Sequence, residues 1–410
     1  MYSRHPSSRT TTLTAGFCLC LCLSVTASSA QSAAQSPTVK STSSSSTEVV
    51  YLLANSTLLT YNVDRTTGNP TEQGQGVTLD SVTDTVLLPS ANDRFVYVTG
   101  YDATISEYLW VYATDTTGVP LLPAVQTLSL TDGAFSTGNF VINPNGTLAY
   151  AVEERANSIG NILAKITKFS IDPTTGLVTR ATQPAATYKA NGPCTPAAEA
   201  SFNIYGFNPS GTVMYDYWDC NYPFANNSAT YFSRSLNQTT GALGNDHEIF
   251  DWADGNFGTD LVNFTPSSLI YFSVPNNESQ GMNSVNVYSL QGSLQFSCTA
   301  SMLEACGYGV WNYLDRTGKF DFIQISSDST QITRLEPSAK KIVDTGNYIQ
   351  GSLQSFAPDD ALIYTYDPSS SNPWLFPIYV FDSTTGSVTY TGGEIWANIQ
   401  PQSLIPALRQ

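Results

Sequence analysis

One phrase recurs along this chain and limits what the chain can fold into. Its clearest copy is residues 169–180, FSIDPTTGLVTR, a short alternating run, an Asp-Pro-Thr-Thr-Gly turn and a second alternating run. Alternation with period two marks strands, and Gly176 supplies the positive φ of a tight turn, so the phrase predicts a β-hairpin. Versions of it begin at Tyr61, Val111, Phe232, Val287, Ile332 and Val380, with those at Val287 and Ile332 degraded. Ahead of each stands a strand rich in Tyr and Val, such as RFVYVTG from Arg94 and LAYAVEE from Leu148.

A further apolar run that ends in a Pro or Asp turn precedes units two to seven, for example NFVINPNGT from Asn139. Unit one lacks this run. The C-terminal QSLIPA from Gln402 has the same shape, and it is predicted to supply the innermost strand of the first unit, closing a ring with no open edge. The expected fold is all-β: a seven-bladed β-propeller of four-stranded antiparallel blades, repeating every 50 residues or so. A pair of sandwiches would not repeat one phrase throughout, and a β-helix repeat is far shorter.

Composition agrees, since Thr, Ser, Tyr, Val and Phe favour strands and only 12% of the 410 residues are charged. Residues 1–30 read as a secretory signal: Arg4 and Arg9 precede an apolar run from Leu13 to Val25, and Ser28-x-Ala30 suits cleavage before Gln31. That run is shorter than the roughly 20 residues a spanning helix needs, so no membrane span is expected. Residues 31–47, rich in Ser and Thr, read as a disordered leader, and 48–410 as the propeller. The formal charge is −16, and loss of Arg4 and Arg9 takes it to −18. Nucleic acid is therefore excluded as a partner. Sequons at Asn55, Asn145, Asn226, Asn237, Asn263 and Asn277 suit a secreted glycoprotein, and the chain is expected to be a monomer.

Three of the seven cysteines lie in the signal, which leaves Cys194, Cys220, Cys298 and Cys306. Cys194 precedes an inner strand and Cys220 follows the second strand of the same blade, on one face. Cys298 and Cys306 share the connection between blades five and six. Disulfides Cys194–Cys220 and Cys298–Cys306 are predicted.

Residues 149–179, AYAVEERANSIGNILAKITKFSIDPTTGLVT, resemble the lactonase-type seven-bladed propellers, which include 6-phosphogluconolactonase-like proteins and the fungal muconate cycloisomerase. The resemblance implies a site at the channel mouth for a lactone or small organic acid. Members of that family place His residues and an Arg-His pair at the mouth-facing starts of inner strands, whereas this chain reads Thr83-Asp-Thr-Val and Thr137-Gly-Asn-Phe there. Glu154 stands where the family has Glu. His247, the one histidine outside the signal, falls past a turn on an outer strand, so a His-dependent hydrolase cannot be built readily.

The loops on the cysteine-bearing face offer acids instead. Crowded carboxylates raise one another's pKa values, so one can serve as a general acid beside an ionised neighbour. Glu154 and Asp216 are the candidate acid and base, with Arg155 as the carboxylate clamp. Tyr101, Asp102, Glu153, Trp218, Asp219 and Asp367 are candidate ligand-binding residues. Tyr217, Trp218, Tyr222 and Trp252 offer rings on which a sugar can stack, or aromatic packing between blades. Oxygen-rich loops can hold Ca²⁺, although no EF-hand spacing is present and no other cofactor is expected. Two classes of function follow: a secreted lactonase or cycloisomerase acting on a small-molecule acid or lactone, and a non-catalytic secreted propeller that binds a glycan, small acid or protein.

Overall fold

The computed structural model describes residues 47–410 except 55, 80–82, 90–93, 103–105, 131–135, 157–161, 195–198, 209, 222–227, 254–260, 265–268, 277–281, 290–292, 300–310, 327, 368–373, 398–402 and 409–410. These residues belong to one compact unit, 44–410. The expected signal lies outside the described residues, as does the expected leader except for Thr47, which begins the first strand.

The strands form antiparallel sheets that follow one another along the chain. Sheet 1 holds Ser403–Leu408, Thr47–Ala54, Thr57–Asp64 and an outer pair of short strands, Pro70–Glu72 and Val77–Thr78. Sheet 2 is Thr83–Pro89, Phe95–Tyr101, Glu107–Ala113 and Gln126–Ser129; sheet 3 is Ser136–Ile142, Leu148–Ala156, Ile162–Ile171 and an outer pair, Val178–Arg180 and Ala186–Thr187. Sheet 4 is Glu199–Phe207, Val213–Asn221, Ser228–Ser235 and His247–Ala253; sheet 5 is Leu261–Phe264, Leu269–Asn276, Met282–Ser289 and Leu294–Thr299. Sheet 6 is Trp311–Leu314, Phe320–Ser326, Ser329–Glu336 and Lys341–Gln350; sheet 7 is Ser352–Phe356, Leu362–Tyr366, Leu375–Asp382 and Ser387–Trp396.

The fold is thus an all-β propeller of four-stranded antiparallel blades, with two local departures. In sheets 1 and 3 the fourth strand is split. Gly74, at φ 66°, breaks the first, and Pro184, which has no N–H for a ladder bond, falls in the break of the second.

The C-terminal strand Ser403–Leu408 pairs with Thr47–Ala54, from Glu48 opposite Leu408 to Leu53 opposite Ser403. The inner strand of sheet 7 runs beside this C-terminal strand, which in turn runs beside the inner strand of sheet 2. The tail therefore closes the ring from within, as its pattern predicts.

The recurring turn explains how neighbouring sheets stay in step. In 169–180, the Asp172 carboxylate accepts from the Thr174 N–H at 2.8 Å and the Thr175 N–H at 3.3 Å, and Gly176 takes a φ of 73°. Its lack of a side chain has a second use, because a Cβ on Gly176 would collide with the Phe95 ring of sheet 2. The same glycine in the next sheet, Gly241, lies against Lys168 and Leu148 of sheet 3. Apolar clusters fill the wedges between sheets; Tyr150, Val152 and Ile166 of sheet 3 meet Phe202, Met214 and Trp218 of sheet 4.

Candidate functional site

The inner strand Glu199–Phe207 of sheet 4 pairs on one side with Val213–Asn221. Its other side is an unpaired strand edge, whose N–H and C=O groups need partners. Two side chains of sheet 3 supply them. An oxygen of Glu154 accepts a short hydrogen bond from the Phe202 N–H. Two residues on, Asn139 imitates a strand: its Oδ1 accepts from the Ile204 N–H at 3.2 Å, and its Nδ2 donates to the Ile204 carbonyl. Burial pushes the Glu154 carboxyl above the usual range, and the Phe202 N–H partly opposes this.

The other candidate acids are committed differently. Glu153 follows the strand alternation to the opposite face, where it is fully buried and ion-paired with Lys165 at 2.8 Å and with Arg180. Asp216 is also fully buried and accepts from Arg234 Nε at 2.7 Å. The Arg234 guanidinium lies 4.9 Å from the centre of the Tyr188 ring and 3.5 Å from Asp246. Burial pushes the Asp216 carboxyl up to about 6, against the pull of Arg234.

These positions correct the expectation that residues 153–155 and 216–219 are loop residues at the mouth. Both sets lie inside strands, Leu148–Ala156 and Val213–Asn221, because pairing runs as far as Ala156 with Ile162 and Asn221 with Glu199. Strand alternation then sends Glu153, Asp216 and Trp218 into the wedges between sheets, while Arg155 stays in solvent. Trp218 is a core residue, 5.2 Å from Phe202 and 5.6 Å from Tyr188 between ring centres. Tyr217 stacks on Tyr231 at 5.2 Å.

Arg155 is exposed and opposite Leu163. Tyr101 ends the second strand of sheet 2 and is half-buried; Asp102 closes a turn by accepting from the Ser106 N–H at 3.0 Å. Asp219 is half-buried opposite Ser201. Asp367, at the end of the second strand of sheet 7, is buried and accepts from Gln350 Nε2 at 3.0 Å. Glu154 and Asp216 are brought to the same wedge between sheets 3 and 4, whereas Asp102 and Asp367 belong to sheets 2 and 7. His247 is exposed at the start of an outer strand.

The disulfide Cys194–Cys220 is formed, with Cα atoms 5.5 Å apart. It ties the connection after sheet 3 to the second strand of sheet 4. Cys298 lies on the strand Leu294–Thr299, but its side chain and Cys306 fall outside the described residues, so the second disulfide is not described. Of the sequons, Asn145 and Asn237 are exposed at turns. Asn55, Asn226 and Asn277, the side chain of Asn263, Tyr222 and the side chain of Trp252 lie outside the described residues. Among the described residues no group of three or more His, Cys, Asp or Glu side chains could hold a metal ion, and no helix is long and apolar enough to cross a membrane.

Sequence reasoning passed over Asn139, Lys165, Arg180 and Arg234. Asn139 sits in Thr137-Gly-Asn-Phe, one of the two inner-strand starts where the resembled family places His or Arg, and that placement was the available signal. Nothing in the sequence joins Glu153 to Arg180 or Asp216 to Arg234, since these pairs depend on register.

Fold and edge geometry together define a β-propeller with a half-buried carboxyl and an amide set on an inner strand. Solved structures of the same fold include a periplasmic gluconolactonase from Pseudomonas aeruginosa, at 12% identity and TM-score 0.54, covering 89% of this chain and 100% of that one. A proposed 6-phosphogluconolactonase from Bacteroides fragilis matches at 14% identity and TM-score 0.55, over 89% of this chain and 99% of that one. Another from Bacteroides uniformis matches at 15% identity and TM-score 0.50, over 88% and 100%. No protein-family profile matches the chain. No curated protein matches it either.

Proposed function

We propose that this protein is a secreted seven-bladed propeller that binds a lactone or small organic acid at the sheet 3–sheet 4 side of its channel, and that it opens the lactone by proton transfer through Glu154. The observation that carries this is the placement of Glu154 and Asn139 side by side on the free edge of one inner strand. Glu153 is held by the half-buried Lys165 and Arg180 and Asp216 by the buried Arg234, while Glu154 meets a backbone N–H and has its proton affinity raised by burial. A carboxyl of that kind can take a proton from an attacking water and return it to the ring oxygen as the acyl C–O bond breaks, giving the hydroxy acid. The fold shared with gluconolactonases agrees with this substrate class. Arg155, Tyr101, Asp102, Asp219 and Asp367 stay candidates for contacts to the rest of the ligand, and Ca²⁺ a candidate ion.

The test is a hydrolysis assay on glucono-δ-lactone and a γ-lactone, comparing wild type with Glu154→Gln and Asn139→Ala. A loss of kcat in Glu154→Gln, with the fold intact by circular dichroism, is expected. Equal rates in wild type and Glu154→Gln would remove the catalytic role. Release of a chain beginning at Gln31, and a mass shift on enzymatic deglycosylation, check the proposed secretion and glycosylation.

The second reading is a propeller that binds without catalysis. It is favoured by the locked state of Asp216 and Glu153, which removes two of the acids a two-carboxylate mechanism would use.

A further inference from the structure

The outer strand of sheet 7, Ser387–Trp396, carries two exposed aromatic side chains, Tyr390 and Trp396, and another, Tyr348, lies on the outer strand of sheet 6. Its register with Leu375–Asp382 sets Tyr390 opposite Tyr379, Glu394 opposite Pro377 and Trp396 opposite Leu375. Between Tyr390 and Glu394 the outer strand thus advances further than its partner does, and the excess is absorbed as a bulge around Gly392, at φ 82°. Tyr390, Glu394 and Trp396 alternate onto one face, and the two extra residues of the bulge leave that unchanged while drawing the two rings closer together along the sheet. Tyr390 and Trp396 are then separated by roughly 13 Å along the sheet, from the spacing of their partners Tyr379 and Leu375 and a rise of about 3.3 Å per residue.

Both rings are exposed, Tyr390 at 48% and Trp396 at 54%, although large aromatic side chains are ordinarily covered. Hydrogen-bonding groups lie beside them. The Tyr390 hydroxyl donates to Glu394 Oε1 at 2.5 Å, and its ring is 5.4 Å from that of Tyr379. The Tyr379 hydroxyl donates to the Gln350 carbonyl at 3.5 Å, and Gln350 Nε2 donates to Asp367 Oδ2 at 3.0 Å. Two exposed aromatic platforms thus flank the Glu394 carboxylate.

We propose that this face, built on Tyr390, Glu394 and Trp396, binds a neutral polysaccharide chain. The apolar C–H faces of sugar rings stack on Trp396 and Tyr390, while their hydroxyls donate to the carboxylate of Glu394. An outer strand on which both rings are exposed suits an extended chain more than an enclosed small molecule, and two separated platforms suit several sugar units in a row. A charge of −16 disfavours polyanions, including acidic polysaccharides and nucleic acid. Two rings offer far less than the roughly 800 Å² per partner of a standard protein interface, which disfavours a second copy as the occupant. The proposal does not rest on the lactone reading, whose residues lie in sheets 3 and 4.

The test is affinity electrophoresis of the native protein through gels containing hydroxyethylcellulose, laminarin, xyloglucan or galactomannan, with polygalacturonate as the acidic comparison. Wild type should be retarded by at least one neutral gel. Trp396→Ala and Tyr390→Ala should each weaken that retardation about fivefold or more, Trp396→Phe should keep most of it, and Glu154→Gln should keep all of it. Retardation in no neutral gel, retardation by polygalacturonate alone, or retardation undiminished in both alanine variants would each overturn the proposal. So would a change from dimer to monomer by size-exclusion chromatography in Trp396→Ala, which would make the face a self-association surface. Because both rings are exposed, the variants should melt as wild type does; if Trp396→Ala does not, Trp396→Phe and Tyr390→Ala still decide.

Discussion

The Tyr150 hydroxyl donates a 3.0 Å hydrogen bond to the carbonyl of Gly241, which lies 91 residues further along the chain. Tyr150 belongs to the Tyr-Val strand of sheet 3 and Gly241 to the recurring turn of sheet 4. The pair repeats between sheets 1 and 2, where the Tyr51 hydroxyl donates to the Gly118 carbonyl at 3.0 Å. In these two units the repeat therefore carries its own coupling, with the Tyr reaching forward to the Gly of the next unit.

Breaking that coupling should destabilise the fold without touching the site. Tyr150→Phe loses one buried hydrogen bond and leaves the Gly241 carbonyl short of a partner, a cost of about 1–2 kcal/mol. Gly241→Ala should cost more, since φ is 68° and the new methyl would meet Lys168 and Leu148. Urea midpoints of the two variants check this; a Gly241→Ala midpoint equal to wild type would contradict it.

Asp216 and Glu154 should respond in opposite ways to mutation. Arg234→Met leaves Asp216 buried without its cation, which costs about 3–5 kcal/mol when a buried pair is broken. Glu154→Gln keeps an acceptor for the Phe202 N–H and should change stability by less than about 1 kcal/mol. Denaturant unfolding of both separates a structural carboxylate from a functional one. If Glu154→Gln proves the more damaging, Glu154 is a framework residue.

Raising the pH from about 4.5 to about 8 should loosen the junction between sheets 1 and 7. Glu48 is fully buried there and bonded to the Tyr364 hydroxyl at 3.0 Å, and burial pushes its carboxyl up to about 8, against the pull of the Tyr364 hydrogen bond and of Arg65. Its folded-state pKa is raised, so the folded state binds the proton more tightly than the unfolded one. The resulting stability is fully present below about pH 4.5 and is lost as pH rises through about 8, at about 1.4 kcal/mol for each pH unit between those limits. Asp216, pushed up to about 6, adds a smaller loss between about pH 4 and 6. Melting temperatures across this range should fall more steeply in wild type than in Glu48→Gln, and parallel curves would exclude Glu48 as the cause.

Removing the Cys194–Cys220 bond should lower stability by roughly 3 kcal/mol, because it closes a loop of 26 residues in the unfolded chain. The double variant Cys194→Ser with Cys220→Ser should also weaken the near-ultraviolet circular dichroism signal of Trp218, which Gly192 and Tyr188 of that connection cover. An unchanged melting temperature would show that the connection is held by its backbone bonds to Ile162, Ala164 and Ile166 alone.

The amino-acid order alone determined the hairpins, the glycine turns, the pairing of the tail with the first unit and the Cys194–Cys220 bond. Each follows from local periodicity, from the φ of a glycine, or from a strand order that the repeat makes explicit. The same reading took Glu153, Glu154 and Asp216 as one acidic cluster at a channel mouth. Only the tertiary structure decided that Glu153 belongs to Lys165 and Arg180, that Asp216 belongs to Arg234, and that Glu154 and Asn139 share a free strand edge. The physical reason is that a side chain's partner across a sheet or wedge depends on register, and a shift of one residue sends every side chain to the other face. Tyr390 and Trp396 share a face by their even spacing alone, whereas the bulge that draws them closer together along the sheet is a tertiary feature that no local pattern announces.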